Sequence, residues 1–176
     1  MIVGGLEQSE VRKCLLMPKL VSDDFYIPEA PRSEFFYLRM LTVNDVVKDF
    51  DAVMASRDKL RSPNESNSQW PDNLTFEQNL IDLGWHQKEF QCRSSFTYTV
   101  MRPDDTECVG SVYIYPTERK NYDAKVEMWG RSNTDIPALD QHLYDLVKPW
   151  IKKEWPFEKI AFVGTDISRQ EWEKIK

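Results

Sequence analysis

Three groups of residues in this chain have types and spacings that could do proton chemistry. Glu127 lies in residues 123–131 (DAKVEMWGR), alternating with Val126 and Met128, so on a strand it faces away from both. A carboxylate so placed can serve as a general base, taking the proton from a group that must become a nucleophile. The plainer reading is a solvated strand residue paired with Lys125 or Arg131. Ser111, Tyr113 and Tyr115 alternate along residues 107–115 and share one strand face. Beside Glu127 they would line a pocket, with Tyr113 as the proton donor; otherwise they form an ordinary packed sheet face. Trp85, His86 and Glu89 cluster on one predicted helix. His86 titrates near neutral pH and can relay protons, but with Glu89 three residues on it also makes a surface His–Glu pair.

Other chemistries find no support. His86 and His142 are too far apart for a zinc motif, and no metal site is expected. The cysteines, Cys14, Cys92 and Cys108, are odd in number and widely spaced. They suggest neither a disulfide framework nor a metal site, and they fit a reducing compartment. There is no GxSxG, no P-loop and no paired-glycine dinucleotide fingerprint. Net charge is −6 with basic residues scattered, which argues against nucleic-acid or anionic-membrane binding. No apolar run approaches the roughly 18 residues of a membrane span, and the first residues do not read as a signal peptide, so a cytoplasmic protein is expected.

The elements that must position these residues follow from periodicity. At 176 residues and 41% hydrophobic the chain suits one domain with one core. Residues 1–34 read as an N-terminal arm with a short helix near 7–16, and 35–176 as the domain. Residues 35–41 form a first strand. Thr42 to Asp45 make a capping box that opens a helix to about Leu60, with Val43, Val46, Val47, Phe50, Val53 and Met54 as its apolar face. Residues 61–74 are a proline-containing loop. A second capping box, Thr75 to Gln78, opens a helix with Phe76, Leu80, Leu83 and Phe90 inward. The period then drops to two: strands are expected over 95–102, 107–115 and 123–131. Pro137 opens another helix, which Pro149 should kink or shorten. A short buried strand at 159–163 and a terminal helix at 167–175 complete the order β-α-α-β-β-β-α-β-α.

That order resembles the GNAT N-acetyltransferase superfamily over roughly residues 35–176. Residues 36–45 (FYLRMLTVND) look like its first strand and helix start, residues 108–114 (CVGSVYI) like its third strand, and residues 123–130 (DAKVEMWG) like its fourth. The resemblance implies an α+β, three-layer fold: a mixed, mostly antiparallel sheet of about five strands with helices on both faces. It implies that the fourth and fifth strands splay apart, that the pantetheine arm of acetyl-CoA lies in the gap, and that the pyrophosphate meets the start of the next helix, where unpaired N–H groups favour anions. Carried onto this chain, the cofactor contacts fall on backbone of Met128, Trp129, Gly130 and Arg131, and of Ser132, Asn133 and Ala138. Glu127 becomes the base that deprotonates an amine and Tyr113 the acid for the leaving thiolate, with Ser111, Tyr115 and Trp85 lining the acceptor pocket.

The family's glycine-rich phosphate loop is replaced by Arg131–Ala138 (RSNTDIPA), with no glycine after Gly130, one donor lost at Pro137 and a negative charge at Asp135. The chain also ends where the family's last two strands would follow. The expectation is therefore an acetyltransferase acting on a small-molecule amine with acetyl-CoA, the alternative being a catalytically silent GNAT-like binding or structural module. A homodimer fits, because a shortened sheet leaves an edge to cover.

Overall fold

A computed structural model describes residues 17–61 and 69–175. The helix expected near 7–16 and residues 62–68 of the 61–74 loop lie outside the described residues. Five strands form one sheet in the order β1 (Tyr37–Met40), β2 (Phe96–Met101), β3 (Cys108–Tyr115), β4 (Ala124–Gly130), β5 (Ile160–Phe162). Neighbours are antiparallel from β1 to β4, and β4 and β5 are parallel. The parallel step requires a crossover, supplied by a helix between β4 and β5. The helices are α1 (Val46–Ala55), entered through a short 3-10 turn (Val43–Asp45), then α2 (Arg57–Leu60), α3 (Phe76–Gln91), α4 (Leu139–Glu154) and α5 (Arg169–Lys174). The fold is thus α+β with a mixed, mostly antiparallel sheet, as the element order predicts.

Strand alternation sorts the core into two layers. Phe96, Tyr98, Val100, Val112, Ile114 and Val126 face α4, which returns Leu139, Leu143, Val147, Trp150 and Ile151 to the main core. Val21 of the N-terminal arm is 4% exposed in the same cluster, and Phe25 packs on Trp155 at a ring distance of 5.7 Å. The opposite face carries Thr97, Thr99, Ser111, Tyr113, Glu127 and Trp129, in register across β2, β3 and β4, and lies under α1 and α3.

Both capping boxes form. The Asp45 carboxylate accepts from the Thr42 N–H at 2.9 Å and its hydroxyl at 3.1 Å. Thr75 and Gln78 cap each other at 2.9 and 3.2 Å. Three expectations change. The first helix breaks at Ser56 rather than running to Leu60, and the Ser56 hydroxyl accepts from the Ser132 N–H at 3.1 Å. Helix α4 continues through Pro149, which sits on its exposed side. Cys92 is disulfide-bonded while Cys108 is a buried free thiol, so the cysteines no longer argue for a reducing compartment.

The inward faces of α1 and α3 also differ from the apolar stripes. Val43, Val47, Phe76 and Leu80 are exposed. Val53 and Leu83 of those stripes are buried as expected, but so are Asp45, Asp49, Ala52 and Ser56 of α1 and its entry turn, and Asn79 of α3. These positions recur at three- and four-residue intervals, a helical face, but it is a polar one. It meets the polar sheet face of Thr97, Thr99 and Ser111.

Candidate active site

The sheet opens between β4 and β5. They pair only from Ala124↔Ile160 to Val126↔Phe162, with one more bond from the Val163 N–H to the Val126 carbonyl at 2.9 Å. Beyond that, β4 runs on to Gly130 while the other chain turns off at Gly164, whose φ of +89° is a conformation that glycine adopts freely. The resulting cleft has a volume of about 440 Å³. Met128 and Trp129 wall one side, Val163, Gly164 and Thr165 the other, and Lys59, Arg61 and Arg169 stand on its rim.

The start of α4 closes tightly on the end of β4. A Cβ on Gly130 would lie 2.7 Å from Leu139 Cγ. The Gly130 N–H donates to Asp140 Oδ1 at 2.9 Å, and its carbonyl accepts from Lys59 Nζ at 2.7 Å. Asp140 thus occupies the backbone donor that the glycine-poor loop offers. The rest of the loop turns outward. Arg131 pairs with Asp51 at 2.7 Å and Glu107 at 3.3 Å, Ser132 binds Ser56, Asn133 and Ala138 are exposed, and Asp135 pairs with Arg102 rather than crowding the helix start. Ala138 has φ +48° and no side chain caps α4. The cations nearest the cleft are therefore Lys59, Arg61 and Arg169. The sequence reading missed all three because α2, the following loop and α5 meet only in three dimensions.

A second cavity, about 400 Å³, lies on the polar face between α1, α3 and β3. Tyr113, Tyr115 and Trp85 line it, with Asp49, Asn79 and His86. Ser111 does not reach it; it is 1% exposed beneath the sheet face. The two cavities meet across one contact: Trp129, which walls the cleft, donates its indole N–H to the Tyr113 hydroxyl at 3.3 Å. That hydroxyl can stay close to Trp129 because β3 is tightly seated. At Gly110 a Cβ would come within 2.2 Å of the Trp129 carbonyl, next to the register shift at Val100/Met101. A side chain there would force β3 and β4 apart.

Asp49 is the most deeply buried carboxyl group lining the cavity. It is 4% exposed, and its hydrogen-bond donor is Asn79 Nδ2 at 2.9 Å. Burial raises its carboxyl to about 6, against the Asn79 bond, and the charges of Asp45 and Asp82 add to the rise. Burial lifts the Tyr113 phenol well above its usual value, and Asp49 lifts it further, so it keeps its proton. Tyr115 is raised for the same first reason, then by Tyr113, Glu127 and Glu89. Burial lowers His86 despite Glu89 and Asp82, and its Nδ1 lies 3.1 Å from the Thr97 hydroxyl and 3.9 Å from Glu89. The expected surface His–Glu pair is therefore half-buried and faces the cavity. Burial pushes the Cys108 thiol up to about 12, with Asp49 adding to it.

Glu127 sits opposite Tyr113 in the β3–β4 register and pairs with Lys125 at 2.9 Å. It faces a wider, open groove that it shares with Glu89 and Tyr115. Among the described residues no group of His, Cys, Asp or Glu could hold a metal ion, and no helix is long and apolar enough to cross a membrane.

No protein-family model matches the chain, and no curated protein sequence matches it. Solved structures do. The ribosomal-protein-S5-alanine acetyltransferase from Vibrio fischeri superposes with a TM-score of 0.56 at 16% identity, over 72% of this chain and 68% of that one. The microcin C7 self-immunity acetyltransferase MccE, in complex with acetyl-CoA and AMP, gives 0.54 at 10% identity over 73% and 69%. RimL, a ribosomal L7/L12 α-N-protein acetyltransferase in complex with coenzyme A, gives 0.53 at 16% over 70% and 68%. The chain has the GNAT fold. Within the GNAT fold, the cleft described above lies where the fourth and fifth strands part.

Proposed function

We propose that this protein is an N-acetyltransferase that moves an acetyl group from acetyl-CoA to a small-molecule amine by direct attack. The observation that carries the reading is the cleft itself: β4 runs past its last pairing with β5, leaving a slot with cations on its rim. The slot would take the pantetheine arm against Met128 and Trp129. Because Asp140 occupies the Gly130 N–H, the phosphates would be held by Lys59, Arg61 and Arg169 rather than by a glycine loop, drawing Lys59 from Asp140 and Arg61 from Asp72. Solved proteins of the same fold, MccE and RimL, carry acetyl-CoA and coenzyme A.

Attack needs a neutral amine, since an ammonium has no lone pair. Glu127, or a water it holds, is the proposed acceptor of that proton. The phenol of Tyr113, which burial keeps protonated, is the proposed donor to the departing thiolate. The amine would approach from the polar face.

Thermal melting with coenzyme A tests the binding half. A ligand at a hundred times its Kd stabilises the fold by about 2.7 kcal/mol, which for a chain of this size raises Tm by roughly 5–10 °C. No rise at millimolar coenzyme A would exclude the transferase reading and leave the silent binding module. Glu127→Gln should abolish turnover yet keep the melting shift; full turnover in that variant would remove Glu127 as the base.

A further inference from the structure

We infer that the cavity between α1, α3 and β3 is a binding site for a linear organic dication, an alkyl chain with an ammonium group at each end. Binding alone does not depend on acetyl transfer; only the use of such a molecule as the acceptor rests on the function proposed above.

The charge of the lining comes first. Three carboxyl residues border the cavity, Asp49, Asp82 and Glu89, and among the described residues no lysine or arginine does. Asp49 is 96% shielded from solvent by its 4% exposure, yet no cation reaches it. One of its oxygens accepts from Asn79 at 2.9 Å, and the other has no hydrogen bond among the described residues. A carboxylate held like this costs folding free energy unless a positive partner arrives from outside. A ligand's ammonium is such a partner.

The shape of the lining selects among cations. A metal ion needs its ligands gathered around one point, and no such gathering of carboxylates and imidazoles exists among the described residues. The acids are strung out instead. Asp82 and Glu89 are seven residues apart on α3, two turns, or about 10 Å along the helix axis, and Asp49 faces them from α1. Between and around them stand the rings of Trp70, Trp85, Tyr113 and Tyr115, surfaces that suit both methylene groups and ammonium heads. Two of these rings already carry an ammonium of the protein itself: Lys88 Nζ lies 5.4 Å from the centre of the Trp85 ring, and Lys125 Nζ lies 5.0 Å from that of Tyr115. The buried seat at Asp49 would take one end of the ligand, and one of the two separate acids of α3, Asp82 or Glu89, the other. A volume of about 400 Å³ accommodates a short chain.

Calorimetric titration of the purified protein without coenzyme A tests this, with 1,5-diaminopentane, pentylamine, 1-pentanol and magnesium chloride as probes. The diamine should bind saturably at one per chain and at least tenfold more tightly than the monoamine, with no binding of the alcohol or the metal. Asp49→Asn should weaken the diamine at least tenfold. Trp85→Ala, at a side chain already 56% exposed, should weaken it several-fold without lowering Tm. The inference is overturned if the diamine does not saturate at millimolar concentration, if the alcohol binds as well, or if Asp49→Asn leaves binding unchanged. A protein that binds the diamine but shows no melting shift with coenzyme A keeps this site and loses the transferase reading; the opposite pair of results does the reverse.

Discussion

Replacing Asp49 with asparagine should make the protein more stable at pH 8, and the size of the gain follows from where the carboxyl sits. Its value is about 6 in the folded chain against 3.8 for an ordinary aspartate. Two units at 1.36 kcal/mol each give about 3 kcal/mol of cost once the group is ionised in both states. The sign is that of a raised acid. Below 3.8 the carboxyl is protonated folded and unfolded, and the penalty vanishes. Between 3.8 and 6 the folded state binds the extra proton, so stability falls as pH rises, and above 6 the full cost applies. The neighbours that face the group from the surrounding elements are Asp45, Asp82, His86, Cys108 and Tyr113; Asp45 and Asp82 add to the cost, and the variant also relieves their repulsion. Asn79 can turn its amide to keep a hydrogen bond to the new side chain. Urea unfolding of both proteins at pH 8 and pH 4 is the assay. We expect a gain of about 3 kcal/mol at pH 8, a Tm higher by roughly 6–12 °C, and a gain below about 1 kcal/mol at pH 4. A variant less stable than the parent at pH 8, or a gain equal at both pH values, would refute the reasoning.

Gly130→Ala should destabilise the fold by about 1–3 kcal/mol, because the new methyl lies 2.7 Å from Leu139 Cγ; chemical denaturation reads this directly. Asp140→Asn should tighten coenzyme A binding several-fold in low salt by removing a negative charge beside the cleft, while Lys59→Ala should weaken it; calorimetry with both variants checks the pair. Asp45→Ala should cost about 2–3 kcal/mol at pH 7, since the carboxylate makes a two-point pair with Arg39 at 2.6 and 2.9 Å. Burial alone would push the Asp45 carboxyl up, but Arg39 and Thr42 outweigh it and hold it low. Its contribution is therefore present above pH 3.8 and disappears as pH falls through the lowered folded value, so the two proteins should converge in strong acid.

The strands were nearly fully legible. Alternation over 95–102, 107–115 and 123–131 finds β2, β3 and β4 to within a residue or two, because strand side chains obey a period that no distant contact needs to set. Both capping boxes were legible for the same local reason. The inward faces of α1 and α3 were not. Val43, Val47, Phe76 and Leu80 suggest a core stripe, yet burial went to Asp45, Asp49 and Asn79. Burying a carboxylate calls for a partner, and those partners sit on other elements: Arg39 on β1 for Asp45, and Asn79 on α3 for Asp49. One signal was present: Asp49 stands three residues after Val46 and four before Val53, inside the arc assigned to the core. The candidate site divided likewise. Glu127, Tyr113, Tyr115 and Trp85 could be placed by strand and helix phase. The cleft's cations could not, since Lys59 and Arg169 are 110 positions apart and only the β4–β5 crossover brings them to one rim.

The single N–H to hydroxyl contact from Trp129 to Tyr113 gives the molecule a shared partition. Whatever settles against the indole from the sheet opening presses on the same pair that a guest under α1 and α3 would touch from behind. Were a guest in one chamber to move that pair, the wall of the other would change with it, and the influence would be equal in both directions. The two guests would meet as coupled lodgers, each changing how firmly the other is held.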